Sequence, residues 1–179
     1  MKTVKDKYGY ETWQQEEITR VIRGLFQPGV SLKPATLAED FGGTDCHYIV
    51  NNSCPLQLRA RFNRPAFAAD SDVTFRVTEP AMMLAGTYAP LALFVWFHAH
   101  HIVAGRLIDI YRLFNLQPWI EDRPLIPNKD GSRPFYQVTI GELHNIGALL
   151  RIYDGNVWAT ATLGGEARLN TILRQRKSP

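Results

Sequence analysis

The run Leu91-Ala92-Leu93-Phe94-Val95-Trp96-Phe97 carries no polar side chain, and it constrains the fold more than any other stretch. A strand points alternate side chains to opposite faces, so an unbroken run of branched and aromatic residues needs cover on both sides. It predicts a strand in the middle of a sheet with a layer packed on each face. His98 to His101 reads as the turn that follows, and Ile102 to Ile110 as a partner strand. Asp109 stands near its end, placed to cap the next turn.

The rest of the chain supplies the cover. Thr12 to Phe26 reads as a helix, with Gln14, Ile18, Val21, Ile22 and Leu25 on one side and Pro28-Gly29 as its stop. Glu17 flanks that stripe, while Glu16 points away. Pro34 to Asp40 is a connector and Asn63 to Asp72 a loop. Val73 to Val77 is a short strand, and Thr78-Glu79-Pro80 starts a helix through Leu84. Tyr111 to Leu116 reads as a helical turn and Phe135 to Ile140 as a strand. The proline-rich segment Pro118 to Pro134 between them is irregular. Leu143, Ile146, Leu150 and Tyr153 fall at helical spacing and predict a helix over 141–153, with a last helix over 165–175. With no internal repeat and no linker, residues 1–179 are expected to form one α+β (or α/β) domain, a central mixed sheet flanked by helices.

Composition narrows the class of protein. A chain of 179 residues with 45% apolar and 21% charged residues can bury a core without staples. A net charge of +3 does not by itself demand a nucleic-acid partner. Most of the basic residues are arginine, whose planar fork suits phosphate oxygens. Cys46 and Cys54 lack a zinc spacing. The start Met1-Lys2-Thr3-Val4-Lys5 has no apolar leader, and no stretch reaches the ~18 apolar residues of a membrane span. A cytoplasmic protein with free thiols is expected.

The functional lead is a hairpin. Thr44 to Val50 and Leu56 to Phe62 read as two strands joined by Asn51-Asn52-Ser53-Cys54-Pro55. Asp45, His47 and Ile49 share one side of the first. Gln57, Arg59 and Arg61 share one side of the second, opposite Leu56, Leu58, Ala60 and Phe62. Polar groups on an inward strand face cost free energy unless they bind something.

This order, an acid-bearing helix, a strand with Asp, a turn, a strand with Gln-x-Arg and then a helix, resembles the PD-(D/E)XK nuclease superfamily over roughly residues 12 to 85. The resemblance implies a restriction-endonuclease-like fold and a Mg²⁺ (or Mn²⁺) dependent nuclease acting on nucleic acid, DNA favoured. Gly43-Thr44-Asp45 matches the family's Asp position, and Gln57-Leu58-Arg59 its (D/E)-x-K. Asp45 and Gln57 would hold the metal, Arg59 would clamp a phosphate, and Glu17 (or Glu16) would be the helix acid. Arg61, Arg64 and Arg76 are candidates for backbone contacts. A hard cation takes the oxygen ligands that such a set offers, and it acidifies a bound water. Gln57 replaces a charged ligand and Arg59 replaces a Lys that can serve as base, so the same resemblance allows a catalytically silent domain that binds nucleic acid or a protein. A homodimer is the expected way for one site per chain to cut both strands.

Other candidates read more simply. Asp40 is a rival metal ligand, but it precedes Phe41-Gly42-Gly43 as a turn residue would. Glu79 is a helix-start acid that also stands within reach of an assisting role. His98, His100 and His101 suggest a Zn²⁺ or Cu²⁺ site, yet they lack a neighbouring Cys or carboxylate and read as a polar turn. His47 shares the Asp45 face, and His144 has no evident partner. Trp96, Trp119 and Trp158 read as core aromatics. There is no nucleotide-binding glycine loop, nucleophile elbow or zinc-protease motif.

Overall fold

The computed structural model describes residues 11–26, 32–34, 47–51, 54–62, 71–85, 88–115, 123–127, 131 and 133–175. The chain runs α1 (Thr12–Leu25), β1 (Leu32–Pro34), β2 (His47–Val50), β3 (Cys54–Phe62), β4 (Asp72–Arg76), α2 (Glu79–Leu84), β5 (Leu91–His98) and β6 (His101–Asp109). It continues through α3 (Ile110–Asn115), β7 (Phe135–Thr139), α4 (Ile140–Asn145), β8 (Leu149–Tyr153), β9 (Trp158–Thr160) and α5 (Gly165–Arg174). Among the described residues seven strands form a mixed sheet in the order β1-β2-β3-β5-β6-β8-β9, and β4 and β7 form a separate antiparallel ribbon. The class is α+β, as the residue pattern suggests.

The apolar run is β5, and it lies in the centre of the sheet. It pairs parallel to β3 and antiparallel to β6. Its side chains divide with the period of two that a strand imposes. Leu91, Leu93, Val95 and Phe97 enter one core, with Leu56 and Leu58 of β3, the Ile18, Val21, Ile22 and Leu25 stripe of α1, and Leu169 and Ile172 of α5. Ala92, Phe94 and Trp96 enter a second core with Val73 and Phe75 of β4, Tyr136 and Val138 of β7, and side chains of α2, α3 and α4. The sheet is therefore a middle layer, with α1 and α5 on one face and the ribbon with three short helices on the other. Asp109 ends β6 and accepts a hydrogen bond from the Arg112 backbone N–H at 3.0 Å, capping α3 as its position suggests.

One expected element is different. The helix over 141–153 is a single turn-and-a-half, α4, followed by a strand. Gly147 takes φ +68, a conformation that stops a helix and that side chains resist. Leu149 to Tyr153 then crosses back as β8 between β6 and β9. Leu150 and Tyr153 are buried in the first core while Leu149 enters the second. Helical spacing misled here because β6 needs a partner strand, and that demand comes from a distant part of the chain.

Candidate functional site

Hairpin geometry places the polar face of β3 on the ribbon side of the sheet. In the β2–β3 pairing Gln57 is the partner of His47, and across the parallel pair it is the partner of Ala92. Arg59 is the partner of Phe94 and Arg61 of Trp96. Cross-strand partners share a face, so Gln57, Arg59 and Arg61 look toward the second core. Gln57 is 2% exposed and Arg59 is 8% exposed.

A charge that deep needs a partner, and Glu79 is that partner. Its carboxylate, itself 2% exposed, pairs with the Arg59 guanidinium. It also accepts the Tyr88 hydroxyl at 3.1 Å and the Arg76 backbone N–H. Arg59 Nη1 donates to the Thr74 carbonyl at 3.1 Å, and its guanidinium lies 5.8 Å from the centre of the Phe94 ring. Arg61 donates to Thr74 Oγ1 and lies 5.5 Å from the same ring. Burial raises the Glu79 carboxyl above the usual carboxylate range, against the opposing pull of Arg59. Burial likewise raises the Tyr88 hydroxyl, with the Glu79 charge beside it adding to the shift. Together these bonds fasten β3, β4 and α2 to one another.

Glu17 is elsewhere. It rises from α1 on the opposite face of the sheet, so the expectation that it faces Gln57 and Arg59 is corrected. Arg20 grips it through two bonds of 2.7 Å, and the Ile102 backbone N–H donates to it at 2.9 Å. The Arg20 hydrogen bond, outweighing burial, holds its carboxyl below the usual range. His101 Nδ1 stands 3.8 Å away, at the turn that His98 and His101 flank. That carboxylate docks α1 against the start of β6. Glu16 points outward and is exposed.

Arg76 is exposed at the end of β4. Asp45, Asp40, Arg64, Cys46 and Trp119 lie outside the described residues. Cys54 is buried, Trp96 is a core aromatic and Trp158 packs half-buried against the first core. Among the described residues no three His, Cys, Asp or Glu side chains gather to hold a metal. On this face they offer the neutral Gln57 oxygen and a Glu79 already taken by Arg59. Mg²⁺ is normally held through one or two carboxylates, so the described residues alone do not fit it.

Tyr88 and Thr74 were not legible as members of this cluster. Only the rule that a buried charge is paired pointed from Arg59 toward an acid such as Glu79. Comparison with family models, with curated proteins and with solved structures gave no match.

Proposed function

We propose that the protein is a nuclease-like domain that binds nucleic acid, DNA favoured, with Arg59 as an internal anchor and not a phosphate clamp. The observation that makes Arg59 an anchor is its buried pair with Glu79, while the resemblance over residues 12 to 85 supports the nucleic-acid partner. A guanidinium committed to a buried carboxylate does not meet a phosphate. Backbone contacts then fall to Arg61 and Arg76 at the open end of that face, and to Arg64. The sequence pI of about 8.9 supports an anionic partner. The test is binding to labelled DNA and RNA over a range of salt. The expected result is a linear fall of log affinity with log salt. No binding at low salt would remove the reading.

A second reading keeps catalysis, with Mg²⁺ or Mn²⁺ held by Asp45 and Gln57. What favours it is that Gln57 stands on the same face as Arg59, in the strand hairpinned to β2. It expects Mn²⁺ to raise the melting temperature and to support cleavage, and Asp45→Ala to abolish both. If the metal does neither on any DNA or RNA, this second reading fails and the first stands.

A further inference from the structure

We infer that the outer face of the β4–β7 ribbon is a platform for single-stranded nucleic acid, with Phe135 as its stacking surface and Arg61 and Arg76 as its phosphate contacts. The inference rests on the nucleic-acid reading above and assigns it a surface.

The ribbon has one face in the second core, filled by Val73, Phe75, Tyr136 and Val138. Alternation sends Thr74, Arg76, Phe135 and Gln137 to the other face. The register sets Arg76 directly opposite Phe135, and Thr74 opposite Gln137. Arg61 arrives from β3 and donates to Thr74 Oγ1. Two residues beyond Thr74 on the same face is the exposed Arg76, opposite the partly exposed Phe135, while Arg61 reaches that face only at Thr74, from above the Phe94 ring.

That combination suits a single strand. Every base has a π-face, so an aromatic ring flanked by cations holds unpaired bases without reading their sequence. A duplex hides those faces in its own stack and leaves Phe135 nothing to stack on. The opposite end of the ribbon carries the carboxylate of Asp72 and an ion pair. Asp72 takes Gln137 Nε2 at 2.7 Å, and Glu142 pairs with Arg123. Phosphates are therefore favoured at the Arg76 end over the Asp72 end.

Fluorescence anisotropy with labelled oligo(dT), and with a duplex of equal length, tests this. The wild-type chain is expected to bind oligo(dT) more tightly than the duplex. Phe135→Ala is expected to weaken that binding by about 5- to 100-fold. Phe135→Leu, which keeps apolar bulk, should weaken it with little change in melting temperature. Arg76→Gln should weaken it and flatten the salt slope by about 0.7. A wild-type chain that binds while the variants bind equally well overturns this inference alone, as does preference for the duplex. A wild-type chain that binds no nucleic acid overturns it together with the reading it rests on.

Discussion

Arg59 in the middle of β3 and Glu79 in the first turn of α2 form an ion pair that water barely reaches. Removing one partner leaves the other charged inside a core. Glu79→Ala is therefore expected to cost about 3–5 kcal/mol, while Arg59→Met together with Glu79→Leu should fall much closer to wild type. Urea denaturation of the three variants checks this. A double variant as unstable as Glu79→Ala would mean that the pair is not the staple described.

Glu17 and Glu79 give opposite pH dependences. The folded Glu17 carboxyl is depressed by Arg20, so its contribution is present above the ordinary carboxylate range and is lost as pH falls through the folded value. The folded Glu79 carboxyl is raised by burial, so its contribution is present at low pH and is lost as pH rises through the folded value. Glu17→Gln should flatten the acid limb of a stability–pH curve. Glu79→Gln should instead remove a decline that begins just above that limb. An unchanged acid limb in Glu17→Gln would contradict the first assignment.

Gly105 is expected to resist any side chain. A Cβ there would lie 2.9 Å from Trp158 Cη2, half-buried against the first core, and 3.2 Å from Tyr153 Cβ within it. Gly105→Ala should destabilise by about 1–3 kcal/mol through overpacking. Thermal melting measures it, and a variant melting at the wild-type temperature would show that Trp158 yields easily.

Gly147→Ala tests the break between α4 and β8. It combines φ +68 with a Cβ 3.0 Å from the Arg112 guanidinium carbon, and should cost about 1 kcal/mol or more. A neutral result in chemical denaturation would show that the turn relaxes freely.

What the sequence made legible follows from which forces are local. The β5 run admits one environment, a strand covered on both faces, and its alternation decides which residues enter each core. The α1 stripe was equally plain because its period is set within one helix. The second half of 141–153 was not, since Leu150 and Tyr153 stand at helical spacing and share one core as strand residues only across a register shift in the β6–β8 pairing. The pairing demand of β6 and the φ of Gly147 decide between helix and strand. The polar side of β3 was readable from Gln57, Arg59 and Arg61, but not its destination. Which sheet face α1 covers is set by the packing of distant apolar residues, and that choice separates Glu17 from Arg59.

The Trp158 indole donates to the Val21 carbonyl at 2.9 Å, in a space left by Gly24 and Gly105. Helix α1 is thus latched by a ring translated more than a hundred residues later. Until β9 has cleared the exit tunnel, α1 lacks that latch. A nascent chain stalled before Trp158 would therefore leave α1 more open to proteolysis than one that carries the ring, making that helix a reporter of synthesis past Trp158.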